Sequence, residues 1–105
     1  MSGAALTAGD LGGPLGERAT LVQFSSAFCR PCAATRRVLA DVAGMVPGVA
    51  ALDVDAESHL ELVRALGVES TPTVLVLDVG GRERVRAAGL PRKADVIAAL
   101  GRVLG

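Results

Sequence analysis

The sequence predicts an α/β fold in which one sheet is covered by helices on both faces. Short apolar runs typical of buried strands alternate along the chain with longer segments whose apolar residues recur at helical spacing. The resulting order is strand, helix, strand, helix, then a hairpin and a last helix. A length of 105 residues is enough for one hydrophobic core, so we expect a single domain over residues 1–105.

Composition narrows the functions that this domain can have. Eleven basic residues balance eleven acidic ones, which argues against binding to nucleic acid or to an anionic membrane surface. No apolar run approaches the roughly 18 residues of a membrane span. The N-terminus lacks the basic start and apolar core of an export signal. We therefore expect a cytoplasmic protein, and we also expect it to be a monomer.

Residues 1–18 are predicted to be a weakly ordered extension of the domain. Residues 4–6 favour a short edge strand. Residues 7–15 favour a short helical segment, which their glycines and proline make marginal.

The first strong strand is predicted at residues 20–24, and a helix follows it from about residue 29 to residue 43. Gly44, and after it Pro47 and Gly48, predict the end of this helix. Its apolar stripe consists of residues mostly spaced four apart: Ala34, Val38, Leu39, Val42, Met45 and Val46.

A second strand is predicted at residues 49–54, where the nearly continuous apolar run is typical of a strand buried on both faces. A turn at residues 55–57 precedes a second helix. Ser58 and Glu61 have the spacing of a capping box that begins this helix, and Gly67 predicts its end.

The last part of the chain predicts a hairpin and a third helix. Residues 73–77 form the third strand, residues 78–81 the turn, and residues 84–88 the returning strand with Val85 directed inward. Pro91 suits the first turn of the helix. The apolar stripe of this helix is Val96, Ile97, Leu100, Val103 and Leu104.

The only two cysteines, Cys29 and Cys32, lie where the first strand passes into the first helix. Unpaired backbone N–H groups and the positive end of the helix favour an anion there. A thiolate is such an anion, so we expect a lowered pKa for Cys29. Two cysteines three apart within one helical turn can also close a small ring, which makes a reversible disulfide plausible. This stretch predicts redox chemistry.

Zinc binding is a weaker interpretation of the cysteines, because zinc needs about four ligands and His59 is the only further soft ligand. We therefore expect no metal and no other cofactor, and a solvated rather than catalytic His59. A purely structural disulfide is also disfavoured, since a bridge over so short a loop constrains the unfolded chain little. Arg30, Arg36 and Arg37 are expected on the solvated side of the helix, with a substrate-steering patch as the alternative.

From about residue 21 to residue 104 the sequence resembles the thioredoxin family. The motifs that carry the resemblance are Val22-Gln23-Phe24, Cys29-Arg30-Pro31-Cys32, Leu52-Asp53-Val54-Asp55, Gly67-Val68-Glu69-Ser70-Thr71-Pro72-Thr73, and Gly89. A C-x-x-C motif alone is a moderate signal, but with Thr-Pro-Thr before a buried strand at the family's spacing it is a strong one. The resemblance implies the thioredoxin fold, with a mixed central sheet of four to five strands between helices.

The resemblance also implies roles for the residues of a redox site. Cys29 would be the exposed nucleophile and Cys32 the buried resolving cysteine of a redox-active Cys29–Cys32 disulfide. Pro72 would follow a cis peptide bond and face the disulfide, and the backbone of Thr71 would pair with a bound peptide. Pro31 would help to hold the first helical turn. The residues implied to contact substrate are Phe28, Arg30, Pro31, Thr71, Pro72 and Gly89.

Five positions depart from the usual pattern of the family. Phe28 and Ser25 stand where tryptophans are usual, and Arg30 replaces a common glycine. Gln23 replaces the buried acidic residue that commonly assists proton transfer, and Ala51 replaces its lysine neighbour. A neutral amide does not titrate, so Gln23 cannot act as a general base.

We interpret the chain as a thiol-disulfide oxidoreductase that reduces protein disulfides as a cytoplasmic reductant. Its expected partners are disulfide-containing proteins and a thioredoxin reductase as electron donor, with no nucleic acid and no membrane. Two alternatives stay open: a non-catalytic module of the same fold that binds peptides beside Pro72, and a glutathione-linked protein similar to glutaredoxins.

Overall fold

Strands and helices follow the predicted order in the computed structural model, which describes residues 5–105. The elements are α1 (Ala8–Leu11), β1 (Ala19–Ser25), α2 (Arg30–Met45), β2 (Val49–Asp55), a 3₁₀ helix (Ala56–Ser58), α3 (Leu60–Leu66), β3 (Thr73–Asp78), β4 (Glu83–Ala88) and α4 (Lys93–Leu104). Within the described residues, no helix combines the length and the apolar character that crossing a membrane requires.

The four strands form one mixed sheet in the order β2-β1-β3-β4. β1 runs parallel to β2 and antiparallel to β3, and β4 returns antiparallel beside β3. Every residue of β1 is buried, because this strand has a neighbour on each side and helices over each face. The predicted α/β fold with a mixed central sheet is therefore confirmed, with four strands among the described residues.

Successive side chains of each strand point to opposite faces of the sheet, so they pack into two apolar layers, one on each face. The layer under α2 and α4 contains Ala19, Leu21, Leu39, Val42, Val74, Val76, Val96, Ala99 and Leu100. The layer under α1 and α3 contains Leu6, Leu11, Val22, Phe24, Val54, Val68, Leu75 and Leu77. Val85 packs against the first layer, so the inward direction predicted for it is confirmed.

The expectation that β2 is buried on both faces is wrong. β1 occupies the centre of the sheet, and no strand within residues 5–105 pairs with the outer side of β2. Only Val54 of this strand is buried, while Leu52 packs partly into the layer under α1 and α3. The remaining apolar residues of β2 are mostly alanines, whose small side chains need little cover.

Helix α2 runs through Gly44, which was expected to end it. The helix stops at Val46, whose φ of −120° and ψ of 111° are extended. A residue that precedes proline is pushed out of the helical region, so Pro47 ends the helix and Gly44 does not. Met45, expected in the apolar stripe, is 54% exposed, because the buried face passes from Val42 to Val46.

The predicted capping box of α3 is absent. His59, not Ser58, occupies the N-cap position of this helix without a capping hydrogen bond from its side chain, and Ser58 belongs to the preceding 3₁₀ helix. The Ser58 hydroxyl donates to Asp55 Oδ2 at 2.8 Å, and the other carboxylate oxygen accepts the N–H of Glu57 at 3.1 Å. Asp55 thus caps the 3₁₀ helix, and no side chain caps the start of α3. The end of α3 at Gly67 is confirmed, with a left-handed φ of 68°.

Helix α4 begins at Lys93, two residues after Pro91, which was expected in its first turn. Ile97 was expected in the apolar stripe but is 40% exposed. Ala99 is buried in its place, because Val96, Ala99 and Leu100 keep the i, i+3, i+4 spacing of one helix face.

The N-terminal segment differs from the expected edge strand and longer helix. Residue 4 lies outside the described residues, and Ala5 and Leu6 are not in a strand. The Leu6 side chain is buried, and its N–H donates to the carbonyl of Gly81 in the β3–β4 turn at 2.9 Å. The helical part is one short turn, α1, which a reciprocal capping box between Thr7 and Asp10 holds.

Candidate active site

The two cysteines lie at the carboxyl end of β1, where the chain enters α2. Cys29 is the N-cap of the helix and Cys32 lies in its first turn. Their sulfur atoms form a disulfide, and their Cα atoms are 5.3 Å apart. Pro31 sits among the first helical residues, where a missing N–H costs no helical hydrogen bond.

The environments of the two sulfur-bearing side chains differ. Cys29 is half-buried, whereas Cys32 is 1% exposed beneath it. The first turn of α2 contains no acidic residue, and no side chain caps its backbone N–H groups. The positive end of the helix is therefore directed at Cys29, and no acidic residue of the first turn opposes it.

A second segment of the site precedes β3. The Thr71–Pro72 peptide bond is cis, as predicted, and Pro72 is buried. Phe24 of β1 pairs with Thr73 of β3, so the residues after β1 lie beside the residues before β3. A hydroxyl contact of 2.9 Å between Ser26 and Thr71 joins these two loops directly.

A third segment follows β4. Gly89 has a left-handed φ of 85°, and its N–H donates to the carbonyl of Pro72 at 2.8 Å. Two large apolar side chains in these loops are open to solvent: Phe28 is 96% exposed and Leu90 is 52% exposed. Phe28, Thr71, Pro72 and Gly89 are thus brought to one end of the sheet with the cysteines.

Leu90 and Ser26 were not identified from the sequence. Leu90 follows Gly89 directly, and this place in the sequence could have indicated the site. Ser26 carries no recognisable signal, since its contact with Thr71 joins residues 45 apart in the chain.

Gln23 lies in β1 on the face that α2 covers, and it is 1% exposed. Its side-chain Nε2 donates to the backbone carbonyl of Cys32 at 2.9 Å. The partner of Gln23 in the neighbouring strand β2 is Asp53, while Ala51 pairs with Leu21 and is exposed. An uncharged amide therefore lies beneath Cys32.

A polar network borders this position. Ser25, which is buried, donates from its hydroxyl to Asp53 Oδ1 at 2.7 Å. Arg36 of α2 donates from Nε to Asp53 Oδ2 at 2.9 Å. Arg36 is thus engaged in an ion pair with the sheet, whereas it was expected only on a solvated face. Arg30 and Arg37 are exposed.

His59 is not part of the cysteine site. Its Nδ1 lies 2.9 Å from the carbonyl oxygen of Asp55, in a cleft of about 570 Å³ between α1 and α3. The residues from 5 to 105 contain no group of three or more His, Cys, Asp or Glu side chains placed to hold a metal ion.

Comparisons with known proteins agree with this geometry. A family model described as thioredoxin matches residues 15–101. Thioredoxin H2-1 of Oryza sativa subsp. japonica is 38% identical over 69 residues, which cover 66% of this chain and 49% of that protein. Thioredoxin of Chlamydia trachomatis is 35% identical over 77 residues, which cover 73% of this chain and 74% of that protein.

Solved structures agree on the fold. A mutant thioredoxin from Halobacterium salinarum superimposes with a TM-score of 0.77 at 20% identity, over 85% of this chain and 77% of that one. The chain spans about half or less of the length of the plant relatives that it matches.

Proposed function

Since the chain belongs to the thioredoxin family, we propose that it is a thiol-disulfide oxidoreductase that reduces disulfides in other proteins. One observation carries the proposal. The only two cysteines form a disulfide at the start of a helix, with one sulfur-bearing side chain half-buried and the other buried beneath it.

The first chemical step belongs to Cys29 in the dithiol form. Its thiolate attacks one sulfur of the substrate disulfide, the substrate S–S bond breaks, and a Cys29–substrate mixed disulfide forms. The leaving substrate thiolate takes a proton from water. Cys29 suits this step because it is the more exposed cysteine and lies at an uncapped helix N-terminus without acidic neighbours in the first turn.

The second step belongs to Cys32. Its thiol gives up a proton, and the thiolate attacks the Cys29 sulfur in the mixed disulfide. The second substrate thiol is released and the Cys29–Cys32 disulfide closes, so two electrons have passed from the protein to the substrate. Among residues 5–105, no buried carboxylate stands beside Cys32 to receive its proton, since Gln23 occupies that place.

The surface around Cys29 supports binding of an extended peptide. The backbone of Thr71 would pair with the peptide next to its disulfide, in the manner of strand addition. Phe28 and Leu90 offer exposed apolar contacts at the same end of the sheet. Arg30, Pro31, Pro72 and Gly89 complete the proposed substrate-contacting set.

Reduction of insulin disulfides by dithiothreitol tests the proposal. The protein should accelerate the precipitation of reduced insulin chains, and Cys29→Ser should lose this acceleration. Arg102→Ala is the control, because this exposed residue of α4 lies outside the proposed set. A wild-type protein that binds insulin without accelerating its reduction would favour the non-catalytic peptide-binding alternative.

The electron donor is a separate part of the proposal. We propose that a thioredoxin reductase restores the dithiol form of the Cys29-Arg30-Pro31-Cys32 motif. Replacing dithiothreitol by NADPH and a thioredoxin reductase tests this, and continued insulin reduction is expected. The cytoplasmic location and the monomeric state stay predictions.

A further inference from the structure

The amide of Gln23 has a fixed orientation beneath Cys32. Its Nε2 lies 2.9 Å from the backbone carbonyl oxygen of Cys32, and that oxygen can only accept a hydrogen bond. The nitrogen must therefore face the carbonyl, and the amide cannot be turned over without losing this bond. The oxygen Oε1 is left on the other side of the same amide group.

Oε1 of Gln23 is buried, and no donor within residues 5–105 reaches it. The side chain is 1% exposed between β2 and β3 and beneath α2, where its strand neighbours are Asp53 and Val74. A buried carbonyl oxygen without a donor lowers the stability of the folded protein. In the disulfide form, Oε1 of Gln23 is thus a buried polar atom without a hydrogen-bond donor, and it belongs to a residue that contacts Cys32.

Reduction creates a hydrogen-bond donor on Cys32, the residue that Gln23 contacts. In the disulfide the Cys32 sulfur carries no hydrogen. Two electrons and two protons break the S–S bond and leave a thiol on Cys32, and a thiol is a weak hydrogen-bond donor. The new S–H belongs to the same buried residue whose carbonyl Gln23 already holds.

We propose that Gln23 is a positioning residue whose Oε1 accepts the S–H of Cys32 in the dithiol form and so stabilises the dithiol against the disulfide. The inference rests on the reversible cysteine couple of the proposed function. It gives the amide a role in setting the equilibrium between the two redox forms. It also keeps the proton on Cys32 while Cys29 ionises.

The proposal differs from a simpler explanation in one respect. A buried water molecule could also donate to Oε1, but it would do so in both redox forms and would leave their equilibrium unchanged. A hydrogen bond from Cys32 exists in the dithiol form alone, so its removal must shift the equilibrium toward the disulfide.

Redox titration of Gln23→Leu tests the proposal. Leucine is similar in size and has neither donor nor acceptor. We expect the equilibrium constant for disulfide formation to rise about threefold to tenfold, which corresponds to a reduction potential about 15–30 mV more negative. The protein is equilibrated with glutathione buffers, quenched with acid and alkylated, and the oxidised fraction is measured by mass spectrometry.

Thr35→Val is the matched control. Thr35 is buried in the same part of α2, and its hydroxyl donates to the carbonyl of Pro31 at 2.8 Å. Valine keeps the shape of threonine and removes only a hydrogen bond within the helix that involves neither cysteine sulfur nor Gln23, so the equilibrium of this variant should equal that of the wild type. An unchanged equilibrium in Gln23→Leu, or an equal shift in both variants, would overturn the proposal. A wild-type couple that no thiol reduces would overturn the proposed function as well.

A spectroscopic measurement covers the case in which Gln23→Leu does not fold. The Cys29→Ser variant has Cys32 as its only thiol. Its infrared S–H stretching band should lie below the band of a thiol in an apolar solvent, as expected for a hydrogen-bonded S–H. A band at the position of a free S–H would overturn the proposal.

Discussion

At the scale of single residues, the proposed chemistry depends on the different burial and the different helix positions of the two cysteine side chains. Cys29 is half-buried at the positive end of α2, and Cys32 is buried against Gln23. An unperturbed cysteine has a pKa of about 8.5. The helix end stabilises the thiolate of Cys29, and the position of Cys32 inside the protein disfavours its thiolate.

We therefore expect the pKa of Cys29 in the dithiol form to lie clearly below about 8.5. The rate of iodoacetamide alkylation of the reduced protein, followed against pH by mass spectrometry, measures this pKa directly. Cys32→Ser isolates the reaction of Cys29 and serves as the control. An alkylation midpoint near 8.5, or faster alkylation of Cys32 than of Cys29, would show that the assigned roles are wrong.

Gln23→Asp should accelerate resolution of the mixed disulfide near neutral pH. A buried carboxylate can take the proton of Cys32, and a well-placed base is worth on the order of 10²-fold or more. Burying a carboxyl group in place of the amide should cost about 1–3 kcal/mol of folding free energy. Rapid-quench measurement of the mixed disulfide from pH 6 to pH 9 gives the rate.

Gln23→Asn is the control for this prediction, because it has the length of aspartate and no titratable proton. In the wild type and in this control, the resolution rate should rise with pH toward the thiol pKa of Cys32. Equal rates and equal pH profiles for the aspartate and asparagine variants would mean that a carboxylate at this position does not take the proton of Cys32.

At the scale of secondary-structure elements, the strands and the long helices could be predicted, because their apolar spacing is also the spacing of the observed core. The ends of these elements depend on individual neighbouring residues, which the spacing of apolar residues does not reveal. Pro47 rather than Gly44 ends α2, and Asp55 rather than Ser58 organises the approach to α3. Among the strands of residues 5–105, β2 lies at the edge of the sheet, and this position depends on how the strands pair, so the apolar run of β2 was a misleading indication of burial.

The network of Ser25, Asp53 and Arg36 links α2 to the sheet. We expect its members to contribute unequally to the free energy of unfolding. Asp53→Ala should cost about 1–2 kcal/mol, because it leaves the buried Ser25 hydroxyl without its acceptor. Arg36→Ala should cost no more than about 0.5 kcal/mol, since this pair is half-exposed and screened by water. Urea denaturation of the oxidised variants measures both, and equal costs would contradict this description of the network.

The hairpin between β3 and β4 should respond to acid through Asp78. Hydrogen bonds from the backbone N–H groups of Arg82 and Gly80, together with Arg84, hold the pKa of Asp78 below its usual 3.8. Because the folded pKa is lower than the unfolded one, ionised Asp78 adds stability above about pH 4, and that stability disappears as the pH falls through the folded pKa.

Asp78→Asn tests the hairpin. The wild type should be the more stable protein at pH 6, and the difference between the two proteins should shrink as the pH falls toward 2. Free energies of unfolding in urea at a series of pH values give the comparison. A difference that stays constant down to pH 2 would show that the charge of Asp78 has no part in it.

At the scale of the whole molecule, the site is assembled from three segments that are far apart in the chain. The pairing of β1 with β3 and of β3 with β4 brings the cysteine loop, cis-Pro72 and Gly89 to one end of the sheet. Their motifs could be recognised in the sequence because each has a fixed chemical role in the family. The link between Ser26 and Thr71 depends on a tertiary contact, and the sequence contains no local signal for it.

The central claim is that Cys29 attacks substrate disulfides and Cys32 resolves the product, and trapping of the mixed disulfide tests it most directly. Reduced Cys32→Ser is incubated with insulin, quenched with acid and analysed by mass spectrometry of its peptides. We expect a stable adduct joined through Cys29, no comparable adduct with Cys29→Ser, and only a transient one with the wild type. Absence of the adduct from Cys32→Ser, or its formation through Cys32 in Cys29→Ser, would contradict the account.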